Sequence, residues 1–179
     1  MTPAPDSHKT ARFEACFLPH LDAAWNLARW LARDDADAED VVQESLLRAL
    51  RYFDSFNGES PRVWLLAIVR NTTYTLTSQK QAAGIQESLD EDIHILVDSG
   101  PSPEALALIA SDMDSLRDAL GRLPPGLCEV LVLRELEGFS YKEIATITEL
   151  KIGTVMSRLA RARERLIHEL THVSQEASP

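Results

Sequence analysis

The sequence predicts an all-α protein with two small helical domains joined by a flexible acidic linker, the C-terminal domain being a helix-turn-helix. Apolar residues recur at helical spacing from Arg12 to about Gln79, and the same spacing returns after Ser102. Near the C-terminus a short capped helix is followed, after a brief turn, by a long basic one, which is the pattern of a helix-turn-helix. The predicted domains are residues 10–80 and 104–172, and the predicted linker is residues 81–103.

Composition and charge limit the kind of partner that the chain can bind. It has 179 residues, of which 45% are hydrophobic, and this fraction suits a folded chain rather than one disordered throughout. Its formal net charge of -10 argues against binding nucleic acid with the whole surface, because phosphate contacts need clustered Lys and Arg. Such a cluster exists only near the C-terminus, at Lys151, Arg158, Arg161, Arg163 and Arg165. We therefore expect separate faces for separate partners.

Neither a membrane segment nor a metal site is indicated by the sequence. No stretch approaches the roughly 20 consecutive apolar residues that span a bilayer, and residues 1–9 lack the apolar run of a secretory signal. We therefore expect a cytoplasmic protein with no membrane insertion. Cys16 and Cys128 lie far apart with no Cys-x-x-Cys spacing, so we interpret both as core side chains and expect neither a metal nor another cofactor.

The first domain contains a predicted amphipathic helix from Ala38 to Phe53. Acidic residues at its start favour helix initiation. The face predicted to be buried carries Val42, Leu46, Ala49, Leu50 and Phe53. The other face carries Asp40, Gln43, Glu44, Leu47 and Arg51. Taken alone, an acidic helix face of this kind indicates only a solvated surface.

A break at residues 56–59 separates this helix from the next one, which Ser60 and Pro61 open. The side chains predicted to face the core are Trp64, Leu65, Ile68, Val69 and Thr72. Arg62, Arg70, Asn71 and Tyr74 are predicted to lie on other faces. Beyond this helix, Gly84, Gly100 and Pro101 interrupt the pattern and predict the linker, and Ser102 then supplies an N-cap with Pro103 at the first helical position.

The predicted helix-turn-helix begins after Pro124. A helix from Leu127 to Glu137, with its apolar face at Leu127, Val130, Leu131 and Leu136, is predicted to end at Gly138 in the C′ position. Ser140 and Glu143 have the spacing of a capping box, which starts a short helix. A last, long and basic helix is predicted to begin near Gly153.

A helical wheel of the last helix separates a buried stripe from an exposed face. The stripe is Val155, Leu159, Ala162 and Leu166, and the opposite face carries Gly153, Ser157, Ala160, Arg161 and Glu164. Small residues would let this face approach base edges, so Ser157, Ala160 and Arg161 are predicted to read bases. The predicted phosphate contacts are Lys151, Thr154, Arg158, Arg163 and Arg165.

These motifs resemble the extracytoplasmic-function (ECF) class of bacterial sigma factors in the sigma-70 family. Residues 138–145 and 153–163 are similar to the second DNA-binding domain of that class. Residues 37–49 resemble its core-polymerase-binding helix, and residues 64–71 resemble its promoter-melting helix. The resemblance extends from about residue 12 to residue 170, with both motif sets in the family's order.

The resemblance implies a role for each motif. Asp40, Gln43, Glu44 and Leu47 would dock on the clamp helices of the largest subunit of RNA polymerase. Phe56, Asn57, Gly58, Glu59, Ser60 and Asn71 would hold a base flipped from the minus-10 element, above Trp64. Ser157, Ala160 and Arg161 would read the minus-35 element. The implied partners are core RNA polymerase, including its flap, promoter DNA and an anti-sigma factor, and the chain would not be an enzyme.

Two departures and two alternatives remain at this point. Met156 stands where the family often has a basic residue, and residues 75–79 carry fewer cations than is usual, which implies weak DNA contact by the first domain alone. A stand-alone helix-turn-helix regulator that binds as a dimer is the main alternative, although it leaves the acidic helix unexplained. His168 and His172, spaced i, i+4, would be metal ligands in an enzyme, but no third ligand is evident.

Overall fold

The computed structural model of the chain describes residues 7–82 and 113–176, which belong to two compact units, Met1–Ile85 and Gln86–Pro179. Every regular element in the described ranges is a helix, which confirms the predicted all-α class. None of these helices is long and apolar enough to cross a membrane. Most of the predicted linker and the predicted cap at Ser102 lie outside the described residues.

The described part of the first unit, residues 7–82, contains four α-helices. They are α1 (Ser7–Phe17), α2 (Leu21–Ala32), α3 (Asp35–Tyr52) and α4 (Pro61–Ala82), with short 3-10 turns at Leu18–His20 and Phe53–Ser55. Helices α2, α3 and α4 pack against one another, and α1 packs against α4. The core between them includes Ala24, Leu27, Ala28, Ala38, Val41, Ala49, Leu65, Leu66 and Val69.

Helix α3 is longer at its start than predicted, and its buried face is rotated. The Asp34 carboxylate accepts a hydrogen bond from the Asp37 amide at 3.0 Å, so the helix is capped before Asp35 rather than beginning at Ala38. The buried line is Ala38, Val41, Ser45 and Ala49. Val42, Leu46 and Leu50, which were predicted to be buried, are only partly so. Small side chains on the buried line allow close approach of α2 and α4, and the larger side chains fill the flanks.

Helix α4 follows the prediction more closely. It begins at Pro61, and Leu65, Val69 and Thr72 are buried as expected. Trp64 and Ile68 are half-buried. Cys16 in this unit is half-buried and Cys128 in the other is buried, and neither forms a disulfide bond.

The second unit contains four described α-helices. They are α5 (Met113–Gly121), α6 (Pro125–Leu131), α7 (Tyr141–Thr148) and α8 (Ile152–Glu176), with a π-helical turn at Val132–Leu136 that continues α6. Helix α8 packs against α5, α6 and α7. Its predicted stripe of Val155, Leu159, Ala162 and Leu166 is buried, which confirms the helical-wheel assignment.

The end of α6 differs from the predicted regular helix over Leu127–Glu137. The Glu137 amide donates to the Val132 carbonyl at 3.0 Å, which is the i+5 bond of a π turn. Leu136, which was predicted to lie on the apolar face, is 51% exposed, because nine residues at about 100° each place it opposite Leu127 on the helix. Gly138 has a φ of 70° and is the left-handed residue that ends the helix, as predicted.

The capping box that starts α7 is present as predicted. The Ser140 hydroxyl accepts from the Glu143 amide at 3.3 Å, and the Ser140 amide donates to the Glu143 carboxylate at 2.8 Å. Helix α7 ends at Thr148, and α8 begins three residues after the left-handed Glu149. The two helices and this short turn form the predicted helix-turn-helix.

Candidate nucleic-acid interface

The side of α8 that faces away from its buried stripe carries the residues predicted to read bases. Ser157, Ala160 and Arg161 are half-buried and share this side, and Gly153 beside them is exposed. The Ser157 hydroxyl donates to the Thr154 carbonyl at 3.0 Å, so its oxygen remains an acceptor for a ligand. The structure therefore brings the three predicted readout residues together.

Arg161 holds a hydrogen-bond donor that the fold does not use. Its Nη2 atom is buried and has no hydrogen-bond partner among the residues that the structure describes. A guanidinium with spare donors can bind O6 and N7 of guanine with two parallel hydrogen bonds. Because this atom is enclosed in the fold, the Arg161 guanidinium must turn outward before it can contact a base, and its predicted role stays a prediction.

The predicted phosphate contacts are not equally available. Lys151 and Arg165 are exposed, and Thr154 and Arg158 are half-buried. The Arg158 guanidinium passes over Gly126, where a Cβ atom would lie only 2.9 Å from its Nη1 atom. A side chain at position 126 would thus displace the guanidinium.

Arg163 is engaged within the unit instead. Its Nε and Nη2 atoms donate to the same Glu135 oxygen at 3.1 and 2.6 Å, and its side chain is only 15% exposed. This ion pair uses two of its five N–H donors and offsets part of its charge, which weakens its attraction for a phosphate. Its predicted phosphate contact stays a prediction, and no pattern in the sequence indicates a partner 28 residues away.

The loop between α3 and α4 presents a polar tip on an aromatic base. Asn57, Gly58, Glu59 and Ser60 are exposed, and the Asn57 side chain accepts from the Glu59 amide at 3.0 Å. Gly58 has a φ of 84° and Ser60 a φ of 45°, so the backbone turns sharply here. The half-buried Phe56 lies 5.1 Å from Trp64 between ring centroids.

An aromatic cluster fixes the base of this loop, and its members are Phe13, Phe17, Phe53, Phe56 and Trp64. Phe17 is fully buried and contacts each of the other four rings. Two polar contacts add to the attachment of α1: Lys9 pairs with Asp54 at 2.6 Å, and the Arg12 guanidinium lies 5.6 Å from the Phe53 ring centroid. Sequence reasoning missed this role of α1, although the i, i+4 spacing of Phe13 and Phe17 signals an apolar face.

Asn71 lies further along α4 than the loop does. It is exposed, and its Oδ1 atom accepts from Arg70 at 3.1 Å. Asn71 follows Trp64 by seven residues, or about two turns, so the two lie on the same helix face rather than on different faces as predicted, about 10 Å apart along the axis. The distance from the loop to Asn71 is therefore greater than the length of a single base.

The exposed face of α3 carries the residues predicted to bind polymerase. Asp40 and Gln43 are exposed, and Leu47 is 62% exposed. Glu44 pairs with Arg48 at 2.7 Å, so part of its charge is already compensated. Leu47 is the largest apolar side chain on this face.

The start of α3 has a negative potential that acts on a neighbouring cation. Lys80 at the end of α4 forms an ion pair with Asp37. Its hydrogen bond to Asp37 raises the pKa of Lys80, and the nearby charges of Asp40 and Asp34 add to this effect. The acidic end of α3 therefore attracts cations, as a surface for a basic partner would.

The metal alternative finds no support in the described residues. No group of three or more His, Cys, Asp or Glu side chains among them could hold a metal ion. His168 is exposed, and the side chain of His172 lies outside what the structure describes.

Comparison with known families matches both units. Residues 16–82 match the family model for Sigma-70 region 2, and residues 113–166 match the family model for Sigma-70, region 4. The first range includes α3, the loop and α4, and the second includes the helix-turn-helix. A chain with these two regions in this order is a sigma factor of the sigma-70 family.

Individual relatives narrow the assignment. The ECF RNA polymerase sigma-E factor of Haemophilus influenzae is 36% identical over 154 residues, which cover 80% of this chain and 79% of that one. A solved complex of the sigma factor RpoE with the anti-sigma factor NepR from Bartonella quintana matches with a TM-score of 0.69 and 30% identity, over 89% of this chain and 97% of that one. A structure of CnrH with the cytosolic domain of CnrY matches with a TM-score of 0.60 and 26% identity, over 94% and 91%. This chain belongs to the ECF group of RNA polymerase sigma factors.

Proposed function

We propose that this sigma factor binds core RNA polymerase through the exposed face of α3, opens the minus-10 element with the loop before α4, and reads the minus-35 element with α8. Residues 10–80 would then act as region 2 and residues 104–172 as region 4. The segment between them would thread the polymerase channel that later holds RNA. The chain itself would carry out no chemical step, because the polymerase supplies the catalysis.

The observation that carries the polymerase contact is the exposure of Leu47 within a polar and acidic face. A large apolar side chain surrounded by charge is typical of the centre of a protein interface, where charges around it steer the approach. The face is continuous with the negative potential that acts on Lys80. Basic clamp helices of the largest polymerase subunit would complement it in charge.

Two features of the loop support its proposed role in opening the minus-10 element: its tip is polar and exposed, and the aromatic cluster holds its base in place. A flipped base must leave the stack and be held by hydrogen bonds and by stacking, and the loop offers exposed backbone and side-chain groups for this purpose. Asn71 lies about 10 Å beyond Trp64 along α4. We therefore assign Asn71 to a nucleotide adjacent to the flipped one.

The minus-35 role follows from the face of α8. Arg161 has one guanidinium nitrogen without a hydrogen-bond partner in the described residues and would pair with a guanine once its side chain turns outward, and Ser157 and Ala160 leave room for close approach to the base edges. Arg165 and Lys151 are exposed and suited to phosphates. A stand-alone helix-turn-helix regulator would also use such a face. It would not need a Sigma-70 region 2, however, and residues 16–82 match the model of that region.

We also propose an anti-sigma factor as a partner, and the cytoplasm as the place of action. The related sigma factors RpoE and CnrH were solved with NepR and with the cytosolic domain of CnrY. Core polymerase is located in the cytoplasm, so a protein that binds it must work there.

The polymerase contact can be tested by reversing charges on α3. Asp40→Arg with Glu44→Arg should abolish co-purification with core polymerase, because exposed charges contribute little to stability whereas oriented charges govern docking. The matched control is Glu14→Arg with Asp22→Arg, which makes the same charge change at exposed positions of α1 and α2. Wild-type binding by the α3 variant, or equal loss in the control, would contradict the assignment of this face.

A further inference from the structure

The two edges of the readout face of α8 differ in chemistry. One edge carries Arg158 and Arg165. The other carries Ile152, Met156 and Ala160 at i, i+4 and i+8, and it forms an apolar edge of the helix. Met156 is 52% exposed and Ile152 is 47% exposed, which makes both unusually open for large apolar side chains.

This apolar edge is unsuited to phosphate binding. Arg163 lies on the same side of the helix, but its guanidinium is held by Glu135. The edge therefore offers DNA two apolar side chains where a phosphate would require a cation. An apolar group on a partner would therefore fit this edge better than a phosphate would.

The major groove presents such a group at every thymine. The thymine 5-methyl projects into the groove and distinguishes an A·T pair from a G·C pair by apolar contact. Recognition helices meet base edges with their N-terminal residues, and Ile152 and Met156 occupy the first two turns of α8. Met156 lies one turn before Ala160 on the same side of the helix, so the apolar edge borders the proposed base-reading residues.

We infer that Ile152 and Met156 read thymine methyl groups in the upstream promoter element. This inference rests on the proposed minus-35 role of α8 and adds a base preference to it. Covering one methyl group should contribute about fourfold in affinity. The element should therefore contain one or two thymines whose methyl groups, rather than their hydrogen-bonding groups, determine binding.

Uracil provides a direct test, because deoxyuridine lacks only the methyl group and keeps thymine's pairing and hydrogen-bonding groups. Holoenzyme assembled from this chain and core polymerase would first select its upstream element from a randomised library. Each thymine of the selected element would then be replaced by deoxyuridine, one at a time. Affinity would be measured for wild type and for the Met156→Gln and Met156→Leu variants.

We expect wild-type holoenzyme to lose about fourfold in affinity at one or two positions. Met156→Gln, which has similar length but a polar end, should remove this sensitivity at one of these positions, and Met156→Leu should keep it. The salt dependence should be unchanged in both variants, because no phosphate contact is altered. Leu136→Gln, a change at an exposed apolar residue outside α8, should keep the wild-type sensitivity.

Two outcomes would overturn the inference while the proposed function stands. One is a selected element that binds equally well with thymine or deoxyuridine at every position. The other is a methyl sensitivity that persists unchanged in Met156→Gln, since another group would then read the methyl. Holoenzyme that selects no upstream element at all would overturn both the inference and the proposed minus-35 role.

Discussion

Replacement of Phe17 by alanine removes the central ring of the aromatic cluster. This ring is fully buried and lies 5.0 to 5.9 Å from four other ring centroids. Such a substitution in a core typically lowers the free energy of unfolding by about 3 to 5 kcal/mol. Small domains are stable by only about 5 to 15 kcal/mol, so the first unit of Phe17→Ala should be close to unfolding.

Tryptophan fluorescence reports this unit selectively, because all three tryptophans, Trp25, Trp30 and Trp64, belong to it. With a urea slope of about 1 kcal/mol per molar, the midpoint of the fluorescence transition should fall by about 3 M or more. Circular dichroism, which follows both units, should show the second unit's transition unchanged. A fluorescence shift of less than about 1 M would refute the central position of Phe17.

The milder variant Phe17→Leu separates stability from function. It keeps most of the side-chain volume, so the first unit should remain folded, with a smaller shift of the urea midpoint. The contact with Phe56 changes, however, and the loop loses part of its support. Holoenzyme with Phe17→Leu should therefore open promoters more slowly while binding the upstream element normally. Unchanged permanganate reactivity of the melted thymines would contradict this positioning role.

Three further predictions concern the second unit. Ser140→Ala removes the capping box and should cost about 1 kcal/mol, seen as about fivefold faster hydrogen exchange in α7; unchanged exchange would contradict the cap's role. Arg161→Ala should cost about 1 to 3 kcal/mol on the preferred element and relax preference at one base pair, whereas Arg165→Ala should weaken all sequences alike and lower the salt slope by about one unit. The reverse pattern would mean that α8 is rotated from the orientation assigned to it. Glu135→Ala should release Arg163 and steepen the salt slope by about 0.9, and an unchanged slope would show that Arg163 reaches no phosphate.

Features determined by short stretches of sequence could be predicted. The capping box needs only four consecutive residues, and Ser140 and Glu143 form it as expected. The left-handed Gly138 and the buried stripe of α8 follow from similarly local rules. These features together were sufficient to identify the helix-turn-helix.

Features that depend on contacts between distant residues could not be predicted. Two adjacent faces of α3 could be buried, and the closeness of α2 and α4 decides between them. The helical wheel predicted burial of the face with the larger side chains, whereas the structure buries the face with the smaller ones. The ion pair of Arg163 with Glu135 joins residues 28 positions apart, and the π turn at Val132–Leu136 has no local signature. The support of the loop by α1 is likewise visible only when the rings are brought together.

The residues of the candidate site lie between these two cases. Composition and spacing placed the acidic face of α3 and the basic face of α8, but not the partners that some of their charges already have. Glu44 pairs with Arg48, and Arg158 lies over Gly126. Contacts within the protein thus engage some of the charged side chains that were predicted to contact polymerase or DNA.

Reconstituted transcription tests the central claim most directly. Core RNA polymerase from the same species would be incubated with genomic DNA fragments, with and without this chain, and the start sites would be mapped. Start sites that require the chain and lie downstream of a shared pair of minus-35 and minus-10 elements are the predicted result. If the chain bound an operator tightly without polymerase and produced no new start sites, it would be a stand-alone regulator, and the proposed division of roles among α3, the loop and α8 would be wrong.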